Sequence, residues 1–475
     1  MGNYLNPDNS KFQRAVNSDI YVDKTGLIKY TNRVINTMQA YVCVSRPRRF
    51  GKSMAADMLT AYYSKGCDSR EVFSGLEITE DETFDRYLNK YDTVFLNVQE
   101  FLSRSSDVKE LIARIKQRVI RELTRQYPDV ELFDSTDLAE TMQDIYAESK
   151  CPFVLIIDEW DCIFREFKND KEAQEKYLDF LRDLIKDKSY IHLAYMTGIL
   201  PIKKYGTHSA LNMFDEFSMA NPGVLAQYVG FTENEVRCLC SDYQMDLAEI
   251  KEWYDGYHFG NVDVYCPWDV INFCSDHLAD PGLEPKNYWA NTSGNSVISH
   301  FIDSVGKPQK LTRMELEQLV NGGIVQKEIN SELTYKELYS SIDNLWSTLF
   351  MTGYLTQRGE PSGNRYNLVI PNREIRNIIT NHILKMFKEN VKDDGKTVSD
   401  LCDALLNQNP EKVELIFTEY MKKTISIRDT FAQKPTKENF YHGLLLGILG
   451  FKENWSVMSN RESGDGFGDI LIRIE

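Results

Sequence analysis

The chain has 475 residues, 42% of them hydrophobic and 27% charged, with a formal net charge of -16. That length exceeds one ordinary core and predicts about two to four globular domains. The acidic balance excludes an all-over nucleic-acid footprint while leaving room for a local basic groove; the lack of a bilayer-length apolar run and the polar stretch Met1 to Ser10 predict no membrane span and a cytoplasmic location.

In chain order, residues 1–38 contain Tyr21-Val22-Asp23-Lys24-Thr25-Gly26-Leu27-Ile28, a lead-in that either covers a nucleotide base or packs as an edge element. Ala40 to Val44 is a short β-branched run that predicts a buried strand, and Met54 to Tyr63 has the composition of a helix. Between them lies Arg46-Pro47-Arg48-Arg49-Phe50-Gly51-Lys52-Ser53-Met54. Strand, loop and helix in that order make a phosphate cradle: loop N–H groups and the helix dipole face the anion, Lys52 reaches the terminal phosphates and the Ser53 hydroxyl holds Mg2+. The usual eight-residue pattern opens on Gly, whereas Arg46 stands there, and Pro47 removes a backbone donor. Arg46, Arg48 and Arg49 are candidates to restore that positive charge from side chains, with a turn toward a neighbouring domain as the alternative for each. On its spacing alone, Gly-Lys-Ser also fits a plain loop before a capped helix.

Asp92 to Val98 predicts a second strand, and Val108 to Arg125 and Asp137 to Glu148 predict helices. Phe153-Val154-Leu155-Ile156-Ile157 is apolar throughout, as a strand covered on both faces must be, and ends in Asp158-Glu159. Downstream of Gly51-Lys52-Ser53, those acids read as the second half of a phosphoryl-transfer site: Asp158 holds Mg2+ and Glu159 activates water. A fourth strand, Tyr190 to Met196, ends at Thr197-Gly198; Thr197 either senses the terminal phosphate beside Asp158 or simply starts a turn. Ligand binds at the carboxyl ends of such strands.

Several ordered stretches together resemble the bacterial AAA-ATPase-like family. They are Tyr21 to Leu27, the Arg46 to Ser53 loop, Ile156 to Glu159, Thr197 to Ile202, Ser209 to Phe214 and Gly230-Phe231-Thr232, followed by Trp253 to Tyr257, Tyr265 to Asp269 and Tyr288 to Ser293. Family members commonly carry a C-terminal PD-(D/E)XK nuclease-superfamily domain, and the family writes its loop with this Arg in place of Gly. The resemblance implies an α/β protein with a P-loop ATPase core on a parallel sheet, a helical and winged-helix-like middle, and a partial α/β nuclease-fold tail. The boundaries expected are 1–38 for the lead-in, 39–230 for the ATPase domain, 231–425 for the middle and 426–475 for the tail.

Thr232 with Glu235 predicts a capping box opening a helix at Glu233. The aromatics around Trp253, Tyr257 and Trp268 read as interdomain core in preference to a base-stacking platform. Trp346 to Thr356 followed by Tyr366 to Pro371 predicts helix, turn and hairpin. In the tail, the resemblance makes Glu438 the first-helix acid and Asp469 the strand acid of a nuclease metal site. No Glu-x-Lys follows Asp469 at the family's distance, and Glu475 is too near to replace it, so the centre is expected to be incomplete in this chain. Nine cysteines without finger spacing point to thiols instead of disulfides or zinc.

The expected activity is Mg2+-dependent ATP binding and hydrolysis, with ATP and Mg2+ as cofactors. DNA or RNA, a protein partner and self-association are the partners left open. The alternatives are an ATP-dependent switch or scaffold with little hydrolysis, and a nuclease effector completed by residues outside this sequence.

Overall fold

The computed structural model describes residues 2–201, 211–289, 298, 301, 315–316, 318–331, 333, 337–338, 341–382, 395–424, 449, 455–463 and 466–474. The chain divides into two compact units, Met1–Trp289 with Glu328–Gly353, and Ala290–Lys327 with Tyr354–Glu475.

The first unit opens with helices α1 (Ser10–Val16) and α2 (Gly26–Val34), then strand β1 (Tyr41–Ser45) and helix α3 (Lys52–Tyr63). A short turn of helix, α4 (Phe84–Tyr87), precedes β2 (Asp92–Asn97), α5 (Val98–Leu102), α6 (Val108–Gln126) and α7 (Leu138–Ser149). β3 (Phe153–Asp158), α8 (Cys162–Glu166), α9 (Lys171–Ile185), β4 (Ile191–Gly198) and β5 (Asp215–Phe217) complete the core. The five strands form one sheet in the order β2-β3-β4-β1-β5, every pairing parallel. All six residues of β3 are buried, as its apolar run predicts for a strand covered on both faces. The covering helices are amphipathic: α6 buries Val108, Leu111, Ile115, Val119, Ile120 and Leu123 at helical spacing, and Asp107 caps it by accepting from the Glu110 N–H at 2.8 Å.

A smaller module follows. β6 (Phe231–Thr232), α10 (Glu233–Tyr243), α11 (Leu247–Tyr254), β7 (Tyr257–Phe259), β8 (Val262–Tyr265) and α12 (Pro267–Ala279) enclose a second cluster that includes Val236, Ile250, Tyr254, Val270 and Phe273. Its three strands lie in the order β6-β8-β7. The capping box forms: Thr232 N–H donates to Glu235 Oε2 at 2.7 Å while the Thr232 hydroxyl accepts from the Glu235 N–H. The helix Ile342–Met351, capped by Ser341, also belongs to the first unit.

In the second unit β9 (Val325–Glu328, its last residue passing to the first unit), β10 (Thr356–Gln357) and β11 (Arg365–Val369) form a sheet in the order β10-β11-β9. The antiparallel pair β10 and β11 falls where the sequence predicts a hairpin. Helices Gly395–Leu406 and Pro410–Thr424 follow, then the antiparallel pair β12 (Trp455–Ser463) and β13 (Gly466–Ile474). Asp469 falls within β13; Glu438 and Glu475 lie outside the described residues, as do Ile202, Ser209, Ala210 and 290–293 of the stretches that carry the resemblance. The smaller module packs beside the P-loop, Phe50 against Tyr257 of β7 and Arg49 over Trp268 of α12.

Candidate active site

The parallel strands bring their carboxyl ends to one rim. β4 lies between β1 and β3, so Thr197 is in register with Val44 on one side and follows Met196, the partner of Ile157, on the other. Asn97, the last residue of β2, is in register with Asp158. This rim is where an open α/β sheet takes its ligand.

From β1 the chain turns through residues 46–51 into α3. Gly51 sits at φ 90°, in the left-handed region, and an added Cβ would meet nothing within 4 Å; backbone conformation, not space, selects glycine there. Its neighbours alternate in direction. Arg46 is fully buried, donating to the Phe217 carbonyl at 2.7 Å and the Ser45 carbonyl at 3.1 Å and lying 4.6 Å from the centre of the Phe259 ring. Phe50 is buried against Tyr257 and Phe259. Arg48 and Arg49 are exposed, and Arg49, at φ 73°, stacks 4.2 Å over Trp268. Of the two roles open to the three arginines, Arg46 takes the inward one, away from the rim. Its guanidinium anchors the loop's base, and burial pulls its pKa down to about 9 because a charged group has lost its water.

Lys52 is buried and donates from Nζ to the carbonyls of Arg46 and Pro47 at 3.0 and 2.9 Å. Burial lowers its pKa, and Glu159, Asp161 and Asp158 act against that shift. Ser53 and Met54, the next two residues, are exposed on the first turn of α3. Asp158 is 1% exposed; it accepts from Asn97 Nδ2 at 3.1 Å and from the Thr197 hydroxyl. Burial pushes its pKa up, with hydrogen bonds from Thr197 and Ser53 pulling the other way. Glu159 sits at φ 55° with its N–H 3.4 Å from Thr197 Oγ1, a left-handed backbone uncommon for a side chain of that size. Its carboxylate accepts from Arg165. Burial raises its pKa, but Arg165, Lys52 and Arg48 outweigh burial and hold it below the ordinary value.

The structure thus brings Lys52, Ser53, Asp158, Glu159 and Thr197 to one rim. Three residues that the sequence reading passed over join them. Asn97 is a polar end to an apolar strand, the same signal that singled out Thr197. Asp161, with no exposed surface, accepts from the N–H groups of Ile199 and Leu200 at 2.7 and 3.3 Å. Arg165 follows Asp161 at helical spacing, and its Nη1 lies 3.4 Å from Asp161 Oδ1. Gly198 closes this corner tightly: a Cβ there would come within 2.4 Å of Trp160 Nε1.

Beside the loop lies a largely apolar cavity of about 380 Å3, lined by Phe12, Tyr21, Phe50, Met54, Phe231 and Pro267 among others. Among the described residues no helix is long and apolar enough to cross a membrane.

An uncharacterized protein in the vnfD 5′ region of Azotobacter chroococcum mcd 1 is 23% identical over 413 residues, which cover 84% of this chain and 73% of that protein. A solved structure of the Aeropyrum pernix ORC2 protein, in ADPNP-ADP complexes, aligns with a TM-score of 0.33 and 9% identity, covering 81% of this chain and 99% of that one. Residues 10–207 match the model of the AAA-ATPase-like family, described as a predicted AAA-ATPase, which supports a nucleotide-binding ATPase in general.

Proposed function

We propose that this chain binds ATP with Mg2+ at the carboxyl rim of its central sheet and hydrolyses it. The observation that carries the reading is the convergence of Lys52 and Ser53 on α3 with Asp158 and Glu159 at the end of β3. The residues fit the magnesium nucleotide: Asp158 is a buried carboxylate that accepts from neutral donors, the Ser53 hydroxyl is beside it, and Lys52 fills the loop with an ammonium that donates to two loop carbonyls. Magnesium, when bound with the triphosphate, neutralises charge on the β- and γ-phosphates. Ser53 and Asp158 would hold it. Lys52 exchanges its carbonyl partners for phosphate oxygens, a stronger charge-assisted contact. Glu159 is ionised and accepts the proton of the attacking water, and Thr197 donates toward the terminal phosphate. The cavity beside Met54 takes the base; about 380 Å3 lies within the range of small-ligand sites.

Replacing Glu159 by Gln removes the proton acceptor and keeps the shape. Steady-state phosphate release should fall by about a hundredfold or more, with binding of a fluorescent ATP analogue retained. Equal turnover in variant and wild type would reject the hydrolytic assignment.

A second reading has its own observation. Phe50 and Arg49, inside the loop, pack on Phe259 and Trp268 of the smaller module. Nucleotide binding that reshapes the loop would move that module, so an ATP-dependent switch with negligible turnover is the alternative. It predicts ATP-dependent protease protection with no detectable hydrolysis.

A further inference from the structure

We infer that Arg165 is a positioning residue for hydrolysis at this site, gripping Glu159 by one carboxylate oxygen so that the other stays available to the attacking water. The inference rests on the hydrolytic reading above and assigns a role to a residue outside the P-loop and the Asp158-Glu159 pair.

The geometry runs from the inside out. Asp161 has no exposed surface and is tied by one oxygen to the backbone just past β4, at Ile199 and Leu200. Its other oxygen faces Arg165 Nη1 at 3.4 Å, one helical turn away on α8. Arg165, with 12% of its side chain exposed, stands at ion-pair distance from Asp161, and its Nη2 reaches Glu159 Oε2. Glu159 Oε1 has no partner among the described residues. A guanidinium suits this task better than an ammonium because its planar fork serves two acceptors from one fixed side chain. An exposed pair of this kind contributes little, since solvent screens it and both side chains lose freedom. Here both partners are largely buried, so the contact restrains a side chain whose backbone is already held in an uncommon conformation. General-base catalysis needs that restraint: the carboxylate must stand within hydrogen-bond reach of the water, and small misplacements cost rate far more than they cost binding.

The arrangement also joins two strand ends. Asp161 holds the segment after Thr197, and Arg165 holds Glu159, so a shift at the tip of β4 reaches the water-activating group through two side chains.

The test uses the full chain. Phosphate release is measured across ATP concentration with Mg2+ present, alongside equilibrium binding of a fluorescent ATP analogue and a thermal melt, for wild type, Arg165→Gln, Arg165→Lys, Asp161→Asn and Glu159→Gln. Arg165→Gln should lower kcat by about tenfold to a hundredfold while KM and analogue affinity hold, and Arg165→Lys, which keeps the charge but not the fork, should recover part of that loss. Asp161→Asn keeps an acceptor for the Ile199 and Leu200 N–H groups but removes the charge opposite Arg165, and should lower kcat in the same sense. Unchanged kcat in Arg165→Gln overturns the inference. So does a loss of kcat and affinity together that Lys does not restore, which is the mark of a structural role. Should Arg165→Gln fail to fold, Asp161→Asn decides, and unchanged kcat there overturns it. Wild type without turnover, or Glu159→Gln as fast as wild type, fails the hydrolytic reading first and takes this inference with it.

Discussion

Both ends of the central sheet bury an aspartate. Asp92 is the first residue of β2 and Asp158 the last of β3, with 0% and 1% exposure. Their surroundings differ in kind. Asp92 Oδ1 accepts from Asn6 at 2.7 Å and Gln126 at 2.6 Å; its Oδ2 accepts from Lys65 at 2.8 Å and from Tyr127. Burial raises its pKa, but Lys65 and its fellow donors prevail and hold it below the ordinary value. Asp158 has an amide and hydroxyls, and the nearby Lys52 ammonium is engaged with loop carbonyls, so burial prevails and its pKa goes up. A buried carboxylate with its own cation is complete as architecture. One left with neutral donors keeps an uncompensated charge, which is costly unless a cation arrives.

The sharpest way to break that contrast is Asp158→Asn. The amide can keep its oxygen toward Asn97 while the Thr197 hydroxyl turns to accept. Mg2+-dependent phosphate release should fall about a hundredfold or more, while the urea midpoint of the apo protein holds or rises because a buried charge has gone. Retained turnover, or a large drop in stability, would erase the distinction between the two ends.

Asp92→Asn should do the reverse. It leaves Lys65 without its counter-charge and points an amide at a donor, and should lower unfolding free energy by about 2 to 4 kcal/mol with ATP affinity unchanged. The pH sense follows from the depressed pKa. The unfolded chain binds this proton first as pH falls, so the stability Asp92 contributes is present above the unfolded value near 4 and is lost below it. Urea midpoints from pH 7 to pH 3 should decline less steeply in the variant. A variant that tracks wild type over that range would show that the network contributes nothing.

The same contrast marks what could be read from the sequence. The strands of the sheet's middle announce themselves as apolar runs, and Thr232 with Glu235 forms its capping box because the signal is local. β5 is not legible in the sequence: Asp215-Glu216-Phe217 has no apolar period, and the strand exists because β1 offers it an edge. α3 begins at Lys52, ahead of the expected Met54, because Gly51 enters the helix from a left-handed conformation. Within the site, Lys52, Ser53, Asp158 and Glu159 lie in short motifs whose chemistry is written in adjacent letters. Arg46 does not: its inward turn depends on Phe217 and Phe259, far along the chain, and its neighbours Arg48 and Arg49 suggest the opposite direction. Arg165 is hidden in the sequence for the same reason. An arginine on a short helix is legible as a charge, but the carboxylates it joins become its partners only when β3 and β4 lie side by side.

Asp57 tests whether the contrast is graded. It lies on α3 one turn beyond Ser53, its side chain 23% exposed, with Lys11 at 3.6 Å as a loose counter-ion. Burial raises its pKa to about 6, Asp158 adds to the rise, and Lys11 opposes it. The unfolded value is near 4, so between about pH 4 and 6 the folded chain binds more protons and this group's contribution to stability falls as pH rises; above that window the penalty is complete. Asp57→Asn removes the penalty. The expected gain is about 1 to 2 kcal/mol at pH 8, after discounting for partial solvation and for the Lys11 attraction that is lost, and close to none at pH 4. Thermal melts of both proteins at the two pH values measure it. A gain of equal size at both would show that side-chain shape, not charge, is responsible. A loss at pH 8 would show that Lys11 already compensates Asp57, placing it with Asp92 instead of between Asp92 and Asp158.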